Sequence, residues 1–157
     1  MIRQHVQTLQ NNISNLLIHK NSNNLTIPTC FEYYSAIFLT NTFNTPFNVW
    51  KDVPKDEKKK YNFPVRDKGI DLINKDFSII AQSKYYIKST LTYGKLSTFL
   101  ATDKIVDKTN FQMALVRLSN SKIDNHIKHM ISKGILLDFQ IDNKDFIDFI
   151  HQTKYKL

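Results

Sequence analysis

Three side chains lie close together along the chain and carry the groups needed to work on a phosphate: Asp71, Gln82 and Lys84. Asp71 belongs to the apolar run Gly69-Ile70-Asp71-Leu72-Ile73, which predicts a strand over 69–73. Gln82 and Lys84 belong to a second predicted strand, 77–86, and Asn74-Lys75-Asp76 between the two is good turn chemistry. Strand alternation puts Ile80, Gln82, Lys84 and Tyr86 on one face, and Phe77, Ile79, Ala81, Ser83 and Tyr85 on the other. Gln82 and Lys84 therefore point the same way, and the hairpin brings a carboxylate, an amide oxygen and an ammonium together. Hydrolysis of a phosphodiester needs an activated water, charge neutralisation on the phosphate and help for the leaving oxygen. A hard cation such as Mg²⁺, with Mn²⁺ as its substitute, supplies much of this and prefers oxygen ligands. Asp71 is the candidate anionic ligand, and the Gln82 side-chain oxygen and the Ser83 backbone carbonyl are candidates for two more. Lys84 is the candidate for orienting the water or stabilising the phosphate.

Elements must hold these groups in place. Ile2, Val6, Leu9, Ile13, Leu16 and Leu17 recur at helical spacing and predict an amphipathic helix over 2–19. A polar connector, 21–29, follows, and a second helix is expected to start at Thr29 as its N-cap. That helix is apolar nearly all round, which implies burial and makes Glu32 an oddity, because a buried carboxylate is costly. A short strand is expected over 43–50 and a charged, proline-containing loop over 51–60. After the hairpin come a helix over 91–101 and a strand over 111–118. Next is a helix capped by Asn120 or Ser121, with Ile123, Ile127, Met130 and Ile131 on one face and Gly134 as its stop. A strand over 135–140 and a last helix capped by Asp142 or Asn143 complete an α/β sandwich around one mixed sheet.

Composition narrows the classes. The 157 residues predict one domain, and 41% hydrophobic and 12% aromatic residues are enough to build a core. No apolar run approaches a membrane span or a secretory signal, so a soluble, intracellular, cytoplasmic protein without a membrane partner is expected. Cys30 is the only cysteine, which excludes an internal disulfide and a multi-cysteine zinc site. The net charge of +8, almost all lysine, suits DNA as partner. Lysine, asparagine and isoleucine also have AT-rich codons, so charge supports this partner without establishing it.

Gly69-Ile70-Asp71-Leu72 followed by Ile79-Ile80-Ala81-Gln82-Ser83-Lys84-Tyr85 resembles the PD-(D/E)XK nuclease superfamily. The likeness is to the Mrr-like branch, in which Gln-x-Lys replaces Glu-x-Lys. Such domains also sit N-terminal to some superfamily 2 helicases and in restriction-modification polypeptides. Ser83 stands where cysteine is frequent in that branch. The resemblance implies a restriction endonuclease-like αβββαβ core over residues 29–157, preceded by an N-terminal helix and connector at 1–28. It also matches Glu32 to the first-helix glutamate of these nucleases, an auxiliary carboxylate that would restore the charge the amide ligand lacks. The 91–100 helix, Met113 to Leu118, the helix behind it and Ile135 to Asp138 resemble the remaining elements. The implied activity is a Mg²⁺-dependent endonuclease, with a helicase domain or subunit as a further partner.

Lys58, Lys59 and Lys60 of the charged loop, with Lys88, Lys95 and Arg117, are the candidates for DNA contact, although each alone also reads as ordinary surface. Tyr85 and Tyr86 read as core and cleft wall, His126 and His129 as solvent-facing, and Cys30 as a small buried side chain. The N-terminal helix is open to a role in a homodimer or in covering the sheet. The competing function is a non-catalytic DNA-binding module of the same fold that positions a partner helicase. A purely structural protein would leave the clustering of Asp71, Gln82 and Lys84 without a reason.

Overall fold

The inner strands of the central sheet send apolar side chains into two layers, and helices cover either face. The computed structural model describes residues 1–19, 26–63, 69–102 and 111–155. In chain order the elements are α1 (Ile2–His19), α2 (Thr26–Phe43), β1 (Phe47–Val49), a 3-10 turn (Trp50–Asp52), α3 (Lys55–Lys60), β2 (Leu72–Asn74) and β3 (Ile79–Lys84). There follow β4 (Thr90–Leu91), α4 (Tyr93–Leu100), β5 (Gln112–Leu118), β6 (Lys122–Ile123), α5 (Asn125–Ser132), β7 (Leu137–Ile141) and α6 (Asn143–Tyr155). The main sheet has the order β1-β2-β3-β5-β7; β4 and β6 form a separate pair. β1, β2 and β3 are antiparallel neighbours, whereas β3–β5 and β5–β7 are parallel. Parallel neighbours need a crossover, and α4 and α5 lie in those connections. The expected α/β sandwich around a mixed sheet is therefore present. Among the described residues no helix is long and apolar enough to cross a membrane.

One layer packs α1, α2 and α6 on Leu72, Ile79, Ala81, Ala114, Val116 and Leu118. Leu9 and Ile13 of α1 are fully buried there, so the apolar stripe of this helix is used within the chain. Phe31 of α2, Tyr85 just after β3 and Phe146 of α6 meet edge to face or tilted, with centroids 5.2–5.5 Å apart. The other layer packs Ile73, Ile80 and Leu115 under Leu96 and Phe99 of α4 and Ile127 of α5.

Several local expectations shift. α2 begins at Thr26 rather than at Thr29, because Pro28 falls in its first turn, where a missing N–H costs no hydrogen bond. Most of the connector before it, residues 20–25, lies outside the described residues. The 51–60 segment is not a loop: it forms the 3-10 turn and α3. Ile123 sits in β6, and α5 is capped by Asp124, whose carboxylate accepts from Ile127 N–H. Asp142 caps α6 by accepting from Asp145 N–H at 3.0 Å. Phe77 does not share a face with Ile79. Asn74 Oδ1 accepts from the amides of Ser78 and Ile79, and the turn holds Phe77 at φ +55°. Alternation is broken there, and Phe77 stacks on Tyr61 at 4.3 Å in the opposite layer.

Candidate active site

Asp71 lies immediately before β2, where the antiparallel register pairs Leu72 with Ala81. Its main chain is held on both sides. The Asp71 N–H donates to the Ala81 carbonyl at 2.9 Å, and Trp50 N–H donates to the Asp71 carbonyl at 2.8 Å. The carboxylate reaches across the hairpin, where its Oδ2 accepts from Ser83 N–H at 2.9 Å. Asp71 is thus fixed against the Gln82–Ser83–Lys84 end of β3, and the Ser83 main chain meets it through an N–H donor.

Glu32 comes from α2, on the opposite side of the chain's order. It stands between the buried Phe31 and Tyr33 and is itself partly exposed, so it is not the fully buried carboxylate the sequence implied. Glu32 and Asp71 line one cavity of about 250 Å³. Val49, Trp50, Lys51, Lys58 and Ile70 form the rest of its lining. Gln82 and Lys84 are not in that lining; they adjoin it through the Asp71–Ser83 hydrogen bond.

Gln82 is 6% exposed, and its Oε1 is buried without a hydrogen-bond partner among the described residues. A buried acceptor left without a donor is costly. Gly69, at φ +80°, lets the chain pass close by: a Cβ there would come within 3.3 Å of Gln82 Nε2 and 3.2 Å of Phe99. Lys84 is partly buried at the end of β3 and makes no ion pair among the described residues. No group of three or more His, Cys, Asp or Glu gathers among the described residues. The oxygen groups gathered on the cavity wall are the two carboxylates of Glu32 and Asp71, and the Gln82 amide oxygen lies outside that lining.

The basic residues expected to contact DNA separate into three kinds. Arg117, beside Lys84 in the β3–β5 register, is a structural cation and not a free phosphate contact. It is 6% exposed, with Nε and Nη2 donating to Asp138 Oδ1 and Oδ2 at 2.9 and 3.0 Å and Nη1 donating to Ser121. Lys58 is likewise 6% exposed, with its ammonium 4.3 Å from the Trp50 ring centroid, so it belongs to the cavity and not to an exposed loop. Lys59, Lys60, Lys88 and Lys95 are exposed, Lys95 lying over Tyr86 at 4.8 Å. His126 and His129 are exposed as expected, and His126 stacks on Tyr93 at 3.9 Å.

Trp50 and Lys51 are the cavity residues that motif reasoning missed. The signal was the chain's single tryptophan standing at the edge of a charged segment, where a large apolar side chain has no reason to be unless it is buried. Nearby, Tyr33 donates to Asp52 Oδ2 at 2.5 Å. Burial, with the Asp52 hydrogen bond and charge added, holds the Tyr33 phenol above its usual range. Comparison with known proteins returns no match of any kind: no family model, no curated protein and no solved structure.

Proposed function

We propose that the protein is a metal-dependent deoxyribonuclease domain that hydrolyses DNA phosphodiester bonds. The observation that carries this reading is the meeting of Glu32 and Asp71, from elements far apart in sequence, in one cavity, with the Asp71 carboxylate bound to the main chain of Ser83, the residue after Gln82. With the 3-10 turn, α3 and β4 set aside as insertions, the order α2-β1-β2-β3-α4-β5 is the one expected of an αβββαβ core, which supports the reading. Asp71, Glu32 and the Gln82 oxygen fit a hard divalent cation such as Mg²⁺ or Mn²⁺. When bound, such an ion supplies Lewis-acid charge neutralisation and a more acidic water.

The chain's own residues do the rest. Asp71, held by Ser83 N–H, keeps its position without needing to reorganise. Lys84, in no ion pair among the described residues, can donate to the attacking water or to a phosphate oxygen. The exposed lysines contribute long-range attraction for a polyanion, which is sequence-independent and weakens with salt.

The test is a plasmid-nicking assay with Mg²⁺ or Mn²⁺, comparing the wild type with Lys84→Ala. Removing one positioned cation beside developing charge is expected to lower cleavage by about 10²–10³-fold. Duplex binding should fall only slightly, because Lys84 is one of 22 basic residues. Equal cleavage by the two proteins would refute the assignment. A wild type that binds DNA but does not cut it in the presence of any divalent metal would be the non-catalytic module.

A further inference from the structure

The cavity wall opposite the carboxylates has features that holding a metal does not require. α3 has the sequence Lys-Asp-Glu-Lys-Lys-Lys, and only Lys58 of the six is buried. The short helix is braced for this. Phe63 N–H donates to the Lys58 carbonyl at 2.8 Å, and Phe63 and Tyr61 pack on Phe77. The Lys58 ammonium lies 4.3 Å from the Trp50 ring centroid, which holds its positive charge at the cavity wall. Trp50 lines the same cavity, is 4% exposed, and has an Nε1–H buried with no acceptor among the described residues. An indole N–H can only donate, so an acceptor oxygen entering the cavity would satisfy it. Lys51, exposed at the rim, adds a second ammonium to the lining.

We propose that Trp50, Lys58 and Lys51 form a subsite for a phosphoryl group of the substrate backbone, next to the carboxylate pair. This rests on the reading of the protein as a phosphodiester hydrolase and names where that substrate's phosphate is gripped. A phosphodiester carries one negative charge and several acceptor oxygens, which matches two ammonium groups and an orphan N–H. Lysine has three donors, so a neighbouring carboxylate still leaves N–H groups for a phosphate oxygen. Two carboxylates alone would repel the substrate; the buried Lys58 cancels part of that repulsion.

Trp50 is the only tryptophan in the chain, so its fluorescence reads this cavity directly. The full-length protein in EDTA at fixed ionic strength is titrated with the dinucleotide dTpdT, and with thymidine as a phosphate-free control. The expected result is a saturable emission change with dTpdT and none with thymidine. In Lys58→Met, which keeps the apolar stem over Trp50, Kd is expected to rise by about tenfold or more, as for loss of one charge-assisted hydrogen bond. If Lys58→Met does not fold by circular dichroism, Lys51→Met carries the test from an exposed position, with a smaller rise expected. No saturable response in the wild type, an equal response to thymidine, or an unchanged Kd in the folded variants would each overturn the subsite. A wild type that cleaves DNA while Kd is unchanged loses the subsite and keeps the hydrolase. A wild type that never cleaves, while Lys58→Met loses binding, keeps the subsite and loses the hydrolase.

Discussion

Arg117 and Lys84 are neighbours across β3 and β5, yet their removal should have opposite consequences. Arg117→Ala deletes two hydrogen bonds to Asp138 and two to Ser121, and leaves the Asp138 side chain, 12% exposed, without its cation. Removing one partner of a buried pair costs about 3–5 kcal/mol, mostly for the charge left behind. Gln140 Nε2 still donates to Asp138 Oδ2 at 3.0 Å, so the lower end, about 3 kcal/mol, is expected. With a urea m-value of about 2 kcal/mol/M, that moves the unfolding midpoint down by roughly 1.5 M. Urea unfolding at pH 7, followed by circular dichroism, reads this directly. Lys84 makes no ion pair among the described residues, so Lys84→Ala should move the midpoint by less than about 0.3 M. The double change Arg117→Met with Asp138→Leu should recover most of the loss, because no buried charge is then left alone. The reasoning fails if Arg117→Ala costs under about 1 kcal/mol while DNA affinity drops, the result expected of a phosphate contact.

Further outcomes are expected at other positions. Asp124 accepts from Ile127 N–H at the start of α5 and from Tyr93 N–H at the start of α4, and chiefly the first of these holds its carboxyl below the usual range. A depressed carboxyl stabilises the fold above the ordinary carboxylate range and loses that contribution as pH falls through its folded value. Asp124→Ala should therefore cost about 1–2 kcal/mol at pH 7, with the gap to wild type closing in acid, as urea titrations across pH would show. Gly69→Ala forces a side chain into φ +80° against the Phe99 backbone nitrogen, which cannot yield as a side chain would. A loss of about 1–3 kcal/mol is expected in the same assay. Burial pushes the Cys30 thiol up to about 11, against a smaller opposing pull from Lys51. A thiol reagent at pH 8 should therefore leave the folded protein unmodified and label it fast in urea.

The sequence alone determined what depends on backbone period. Alternation along 79–84 predicted the strand β3, with Gln82 and Lys84 on one face of it, and helical spacing in 2–19 marked the face that Leu9 and Ile13 bury. The nearly continuous apolar character of α2 announced a helix enclosed between the sheet and α1, and made Glu32 stand out. These are legible because i, i+2 and i, i+4 neighbours are set by local geometry, whatever the rest of the chain does. Tertiary structure decided what each charge is for. In sequence Lys84 stands out only through Gln82-x-Lys84, and Lys58 and Arg117 are ordinary basic residues. One is buried over Trp50, one is left without an ion pair, and one is locked to Asp138. Phe77 likewise crossed to the other layer because a positive φ in the turn interrupted alternation. A charge's energy depends on its solvent exposure and on partners brought from distant segments, and a linear pattern records neither. For the same reason the cavity shared by Glu32 and Asp71 exists only once α2 has packed beside the hairpin.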